Sequence, residues 1–128
     1  MSSVIDGTDN FDTGVNSRSA IVDFGTVTVN SRYVEVNPFG NINYEKCIVR
    51  LQLWDATNSK WFTVGGGSQD GSAAYGILAD SMAEGIVVQT ALSNLHVGAS
   101  TGSLHTSTIS SQTSASCRVI VFYIGGTI

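Results

Sequence analysis

The sequence predicts a small, single-domain protein that is mainly β with little helix. Only 12% of its residues are charged and 42% are hydrophobic, and much of its polarity comes from Ser, Thr, Asn and Gly. This composition suits short strands joined by many turns, because β-branched residues favour strands and small polar residues favour turns. A helical bundle would need more Ala, Glu, Lys and Leu. The length of 128 residues fits one domain with a modest core.

The first 19 residues are polar and have no sustained strand or helix period. Such a segment cannot bury enough apolar surface to order itself. It is either a frayed terminus or an arm that orders on a partner. In the second case its spaced apolar residues are the anchors: Val4, Ile5, Phe11 and Val15. We therefore divide the chain into an N-terminal arm, residues 1–19, and a β-rich domain, residues 20–128.

A β-hairpin is predicted for residues 20–36, with a two-residue loop at residues 30–31. In this register Val27 faces Val34, and the valines fall on one side of the hairpin. Such a division is typical of a half-buried hairpin. The valines assigned to the core are Val27, Val29, Val34 and Val36.

A second hairpin is predicted in the middle of the chain. A loop at residues 37–41 holds the only proline, and residues 47–54 then alternate, with the odd-numbered apolar residues on one side and Ile48, Arg50, Gln52 and Trp54 on the other. Residues 56–60 turn the chain and residues 61–64 return as a strand. Three glycines at residues 65–67 are expected to break that strand.

The second half of the domain is less regular until its end. Residues 84–97 predict a strand followed by a turn or a short helix. Residues 98–116 are small and polar, which indicates a long exposed loop or an edge strand at residues 104–109. Residues 117–128 form a dense apolar run, which predicts a strand to the last residue.

The predicted core combines the inward faces of these strands. Its members are Val27, Val29, Val34, Val36, Val49, Leu51, Leu53, Ile77, Leu78, Val119, Val121 and Phe122. Cys47 and Cys117 each lie inside an apolar, strand-like run. We interpret them as two buried thiols, and one long-range disulfide is the alternative.

The residues needed for several classes of function are missing. The net charge is −4 and the six basic residues are scattered, so no nucleic-acid interface is expected. No apolar run is long enough to span a membrane. The two histidines, His96 and His105, match no metal-ligand spacing, and Asp55 and Asp70 are interpreted as turn formers. We therefore expect no enzyme, no catalytic residue, no metal and no cofactor.

A short segment resembles a known family. Residues 70–79 read DGSAAYGILA, and a Trp-Asp pair precedes them in an apolar strand. This resembles the "DGAA-x-GILA" segment of the lambda-type head decoration proteins of tailed bacteriophages. The residues that carry the resemblance are Trp54, Asp55, Asp70, Gly71, Gly76, Ile77, Leu78 and Ala79. The polar N-terminal arm and the final apolar strand agree with it, and residues 60–67 form an insert.

The resemblance implies a β-tulip or barrel-like fold with an extended N-terminal arm. It implies a homotrimer on the outer surface of the virion, at threefold and quasi-threefold positions of the expanded head. There it would clamp adjoining subunits of the major capsid protein against the pressure of the packaged DNA. The arm would order on the capsid by strand addition. Such a protein is made in the cytoplasm of the bacterial host, and its partners are the capsid protein and itself.

An alternative function is a trimeric tail-fibre or receptor-binding β domain. In that case an aromatic surface would bind glycans, and its candidates are Tyr33, Trp54, Trp61 and Tyr75. A small β-sandwich hydrolase would need a pocket with a perturbed carboxylate, which nothing in the sequence suggests. The position of the protein on a virion, on the head or only at the tail, would distinguish the first two.

Overall fold

The structure, a computed structural model, describes residues 18–64, 66–70, 73–96 and 112–126. In these ranges it contains eight strands and one short helix of 3-10 type, which confirms the prediction of a mainly β fold with little helix. The elements are β1 (Arg18–Thr28), β2 (Arg32–Glu35), the 3-10 helix (Asn41–Lys46), β3 (Cys47–Asp55), β4 (Lys60–Thr63), β5 (Gly66–Asp70), β6 (Ala73–Met82), β7 (Gly85–Thr90) and β8 (Ser114–Tyr123). Five residues named in the sequence analysis lie outside the described residues. They are Gly71 and the four predicted anchors of the arm, Val4, Ile5, Phe11 and Val15.

The strands form two antiparallel sheets that face each other. The front sheet has the order β1-β8-β3-β4, and the back sheet has the order β2-β7-β6-β5. Buried residues from both sheets form one apolar cluster between them: Val27, Leu51, Leu53, Phe62, Ala115, Cys117, Val119 and Val121 from the front, and Ile77, Ile86 and Val88 from the back. Leu95, which follows β7, completes it. The arrangement is therefore a two-layer β-sandwich.

The predicted hairpin of residues 20–36 is wrong. Strand β1 pairs with β8 in the front sheet, whereas β2 pairs with β7 in the back sheet. The chain crosses between the sheets at Asn30, which has a φ of 56°. The Thr90 hydroxyl holds this corner, because it donates to Thr28 O at 2.7 Å and accepts from Ser31 N at 2.8 Å. A distant side chain therefore fixes a corner at the position where the sequence suggested a tight turn.

A bulge in β1 changes which of its residues face the core. The register against β8 shifts between Asp23 and Gly25, and Gly25 has a φ of 67°. A bulge inserts one extra residue, so the side-chain alternation changes phase across it. As a result Val22 and Val27, an odd number of residues apart, both pack toward the core. A glycine at the bulge adopts this φ with little strain.

The loop after β2 is organised around a buried asparagine. Asn37 is 2% exposed. Its Oδ1 accepts the Phe39 N–H at 2.9 Å, and its own N–H donates to Asn41 Oδ1 at 3.0 Å. Its Nδ2 also lies 3.4 Å from Ser81 Oγ on β6. The predicted loop at residues 37–41 is therefore a hydrogen-bonded corner attached to the back sheet, and it leads into the 3-10 helix.

Other strand predictions agree in part with the structure. The alternation in β3 and the hairpin between β3 and β4 are confirmed. The strand predicted within residues 84–97 is β7, and bends follow it at residues 92–93. Strand β4 ends at Thr63, just before the glycines expected to break it, and Gly66 and Gly67 begin β5. Strand β8 ends at Tyr123, before the last residue.

Part of the predicted core faces solvent. The buried members are Val27, Leu51, Leu53, Ile77, Val119 and Val121, and Val29 and Val49 are partly buried. The exposed members are Val34, Val36, Leu78 and Phe122. Leu78 follows Ile77 and Phe122 follows Val121, and neighbouring residues of a strand point to opposite faces. The two valines were assigned to the core by the hairpin register, which the structure does not contain.

The two cysteines are free thiols. Cys47 pairs with Tyr123, and Cys117 pairs with Leu53, six residues further along β3. This separation corresponds to about 20 Å along a strand, far beyond the span of a disulfide. The interpretation as two thiols is confirmed, although Cys47 is only half-buried.

Candidate binding face of the front sheet

The outward face of the front sheet has two chemically different halves. At one end lies the apolar half, defined as Ile21, Ile48, Ile120 and Phe122. Its members are strand neighbours, because Ile21 faces Ile120 and Ile48 faces Phe122. Next to it lies the cationic half, defined as Arg50, Gln52, Trp54, Trp61, Thr63 and Arg118. Here Gln52 faces both Arg118 and Thr63, and Trp54 faces Trp61.

A chain of side-chain hydrogen bonds crosses the cationic half. Arg118 Nε donates to Gln52 Oε1 at 2.8 Å, and Gln52 Nε2 lies 3.5 Å from Thr63 Oγ1. Thr63 Oγ1 also accepts from Arg50 Nε at 2.8 Å. The chain links β8, β3 and β4, and Gln52 within it is only 9% exposed. Each guanidinium group is therefore held through its Nε, and its terminal nitrogens form no hydrogen bond or ion pair with another residue in the described part of the chain.

The two tryptophans support one of the arginines. The Trp54 and Trp61 rings lie 5.3 Å apart between centroids at an interplanar angle of 65°. The guanidinium carbon of Arg118 lies 4.2 Å from the Trp61 ring centroid. This is a cation–π contact, which fixes the plane of the guanidinium as well as its position.

Few negative charges oppose the two arginines. Among the described residues, the one ion pair found joins Arg32 to Glu84, and Arg32 belongs to the back sheet. The carboxylate closest to Arg118 by strand register is that of Asp23. Asp23 Oδ1 accepts the N–H of Gly25 at 2.8 Å and makes no ion pair with Arg118. Among the described residues neither Arg50 nor Arg118 forms an ion pair, so the cationic half carries two positive charges with Asp23 as the acidic neighbour across the strands.

Asp55, the acidic member of the Trp-Asp pair, stabilises a turn. Its Oδ1 accepts the N–H groups of Thr57 at 3.0 Å and Asn58 at 3.2 Å, and its Oδ2 accepts Asn58 Nδ2 at 2.7 Å. The Asn58 side chain is the main cause that lowers the pKa of Asp55. Asp55 is therefore a turn former, as the sequence predicted, while its neighbour Trp54 belongs to the outward face.

The rest of the family-like segment lies on the back sheet. Asp70 ends β5 and pairs with Ala73. Gly76 has a φ of 137°, a backbone conformation that residues with a side chain rarely adopt. Its N–H donates to Asn94 O at 2.9 Å, and its carbonyl accepts the Ala91 N–H at 3.0 Å. The positive φ favours a glycine at this position.

The last three residues of the segment point in different directions. Ile77 is buried in the core, Leu78 is 57% exposed, and Ala79 packs against the core. The residues carrying the resemblance are thus divided between the two sheets, with Trp54 on the front sheet. They do not meet in one site.

The four aromatic candidates for glycan binding are not brought together. Trp54 and Trp61 meet on the front sheet, but Tyr33 and Tyr75 belong to the back sheet. The Tyr33 hydroxyl accepts the Thr28 N–H at 2.9 Å, and hydrogen bonds with Thr28 are the main cause that lowers the pKa of Tyr33. Tyr33 is partly buried against the core, so its ring is not available on the outward face.

The sequence interpretation missed the arginine pair, although part of its signal was present. The alternation of residues 47–54 places Arg50 and Gln52 outward, and the alternation of β8 does the same for Arg118. The pairing of β3 with β8 brings them together. These strands are far apart in the sequence, so their register could not be predicted from it.

Comparison with protein-family models, with curated proteins and with solved structures finds no match for this chain. The described residues contain no cluster of His, Cys, Asp or Glu suited to a metal ion. Nor do they include a helix long and apolar enough to cross a membrane. Function is therefore inferred from the chain's own residues.

Proposed function

We propose that the protein is a structural decoration protein of a bacteriophage head. It binds the outer surface of the expanded capsid as a trimer and holds adjoining capsid subunits against internal DNA pressure. Support comes from the segment at residues 70–79 with its preceding Trp-Asp pair, and from the small β-rich domain.

The observation that carries the proposal is the position at which the arm joins the domain. Strand β1 starts at Arg18 and is an edge strand of the front sheet. Its first residues pair with the end of β8, where Ser19 faces Phe122. The arm therefore joins the domain beside a sheet edge and beside the apolar half, where Ile21 and Ile48 are more than half exposed. An edge strand and exposed apolar side chains are the two elements that strand addition uses.

The arm needs a partner in order to contribute to binding. Ordering an extended segment costs about 1–2 kcal/mol per residue in backbone entropy alone. Residues 1–17 carry only four spaced apolar anchors, Val4, Ile5, Phe11 and Val15, which cannot offset this cost within the arm. Strand hydrogen bonds and apolar contacts on the capsid would offset this entropy cost. The arm is therefore the main capsid-binding element.

Deletion of residues 2–15 tests this role. We expect a folded domain with a nearly unchanged melting temperature that no longer co-sediments with expanded heads. Phe11→Ala should weaken binding by an intermediate amount, and Leu92→Ala, an exposed apolar residue far from the arm in sequence, is the matched control. Full binding by the truncated protein would contradict the proposed role of the arm in capsid binding. A large loss of thermal stability would show that the arm belongs to the domain's own sheet.

The position on the virion tests the decoration role itself. Electron microscopy of virions carrying the labelled protein should show trimeric density at threefold and quasi-threefold positions of the head, because a cyclic trimer matches that symmetry. Density on twofold or fivefold axes would contradict the proposal. Density confined to the tail would favour the receptor-binding alternative.

A further inference from the structure

We propose that the outward face of the front sheet binds an acidic segment of a partner protein. Arg50 and Arg118 bind carboxylates of that segment, and the apolar half receives its apolar side chains. The residues that define this surface lie in β1, β3, β4 and β8 and are not those of the N-terminal arm. The proposal does not depend on the decoration role, because any partner with this chemistry would fit.

The spacing of the two arginines suits carboxylate ligands. Arg118 faces Gln52 across the strands, and Arg50 precedes Gln52 by two residues. Diagonal neighbours of this kind have Cβ atoms about 7 Å apart. Like charges at such a distance repel each other unless an anion lies between or beside them. One carboxylate can therefore bridge the two guanidinium groups, or two can bind side by side.

Both guanidinium groups are already oriented. Their Nε atoms are bonded to Gln52 and Thr63, and Trp61 supports the plane of Arg118. The terminal nitrogens remain as a fork, which is the geometry that binds a carboxylate through two hydrogen bonds. A preorganised fork loses little side-chain entropy when the ligand binds. Gln52 and Trp61 are therefore positioning residues.

The surroundings favour a protein segment over a sugar or a nucleic acid. Arg118 lies over one face of the Trp61 ring, and Trp54 packs against Trp61 at an interplanar angle of 65°, so that face of Trp61 is not open to a sugar ring. The net charge of −4 opposes a long polyanion. Ile120 faces Arg50, so the apolar half adjoins the arginines directly. Apolar contacts beside arginine-bound carboxylates are typical of protein–protein interfaces.

The binding measurement uses tryptophan fluorescence. The chain has only two tryptophans, and both lie in the cationic half. The probe is a short, end-blocked peptide of glutamate and leucine, and its glutamine counterpart is the control. We expect a saturable fluorescence change with the glutamate peptide that weakens as salt is added, and little change with the glutamine peptide.

Charge variants locate the site. Arg50→Gln and Arg118→Gln should each weaken peptide binding about tenfold, the effect of losing one charge-assisted contact. Arg118→Lys keeps the charge but loses the fork, so it should bind with intermediate affinity. The matched control is Arg32→Gln on the back sheet, which should bind as the unmodified protein does.

Two further variants change the local charge without removing an arginine. Gln52→Glu supplies Arg118 with an internal carboxylate, which should compete with the peptide and weaken its binding. Asp23→Asn removes the closest acidic neighbour, so binding should become tighter. If Arg118→Gln fails to fold, as shown by circular dichroism, then Arg50→Gln, Gln52→Glu and Asp23→Asn decide the question.

Several results would overturn the proposal. These are equal binding of the glutamate and glutamine peptides, equal losses in Arg32→Gln and Arg50→Gln, and the absence of any binding. The last such result is an oligogalacturonate that binds more tightly than the peptide, with the same dependence on Arg50 and Arg118. It would show that the ligand is an acidic glycan and would overturn the proposal of a protein ligand.

Discussion

The two sheets differ in how their central strands are buried. Strand β8 of the front sheet alternates, with its inward residues buried and the others more exposed. Strand β7 of the back sheet is buried at nearly every position, and Gln89 is the exception. Val87 points away from the core, yet it is only 5% exposed and lies between Val34 and Asp80 of the neighbouring strands. The back sheet therefore buries apolar surface on both sides of its central strand.

This difference shows which sheet can carry recognition chemistry. Only the inward face of the front sheet packs in the core, so its outward face can hold arginines, tryptophans and exposed isoleucines. The back sheet is built more tightly, and Gly85 at the start of β7 has almost no room for a side chain. We expect mutations in the back sheet to affect mainly stability. Mutations on the outward face of the front sheet should affect mainly binding.

The largest effect is expected for an inward residue of the front sheet. Leu53 is fully buried in the core, so Leu53→Ala should lower the free energy of unfolding by about 2–5 kcal/mol. The matched control is Leu78→Ala, which removes the same atoms from an exposed position of the back sheet and should cost less than about 1 kcal/mol. Denaturant unfolding measures both. Equal losses would show that the assigned faces of β3 or β6 are wrong.

The next effect tests the tight packing of the back sheet. Gly85 has a φ of 139°, and a Cβ there would collide with the backbone oxygen of Glu35. Gly85→Ala should therefore cost about 2–4 kcal/mol through strain and separation of β2 from β7. Gly40 has a φ of 89°, but a Cβ there would make only an ordinary contact, 3.6 Å from Asn43 Nδ2, so Gly40→Ala should cost only about 1 kcal/mol. Similar melting temperatures for the two variants would contradict the close contact.

The local parts of the fold could be predicted from the sequence. The hairpin between β3 and β4 depends on the turn at residues 56–59. Asp55 stabilises that turn through hydrogen bonds to residues two and three positions further along the chain. The corner at Asn30 could not be predicted, because Thr90 fixes it from about 60 residues away. A two-residue loop and a crossing between sheets use the same turn residues, so only distant contacts decide between them.

The candidate binding face also depends on contacts between residues that are far apart in the sequence. Alternation predicted that Arg50 and Gln52 point away from the core, but not which strand lies beside them. Strand β8 follows the long segment of residues 98–111, and its register against β3 brings Arg118 to Gln52. The bulge at Gly25 was also missed, because one extra residue reverses the alternation without any change in composition.

A smaller effect is expected at alkaline pH from the buried thiol of the front sheet. Burial raises the pKa of Cys117 to about 12 from the ordinary thiol value of 9.0. Above pH 9 the unfolded chain loses this proton while the folded chain keeps it, so stability present below pH 9 is lost as the pH rises. The loss should reach about 1 kcal/mol near pH 10.

The control for this prediction is Cys117→Ala, which has no thiol to titrate. Its stability should be lower at neutral pH, because a buried side chain is shortened, but it should fall less steeply above pH 9. The difference between the two proteins cancels the titration of tyrosines and lysines. Parallel pH profiles would show that the Cys117 thiol is accessible to solvent in the folded protein.

The smallest effect is expected at acid pH from the turn that ends β3. Hydrogen bonds, chiefly that from the Asn58 side chain, lower the pKa of Asp55 below its ordinary value of 3.8. A carboxyl group with a lowered pKa stabilises the folded state above its unfolded pKa, and this contribution is lost as the pH falls through the folded pKa. Asp55→Asn keeps an acceptor oxygen for the backbone of the turn but cannot become charged. The melting temperature of the unmodified protein should therefore exceed that of Asp55→Asn at neutral pH, and the gap should shrink below about pH 4. A gap that stays constant down to the acid limit of folding would show that the charge of Asp55 does not stabilise the turn.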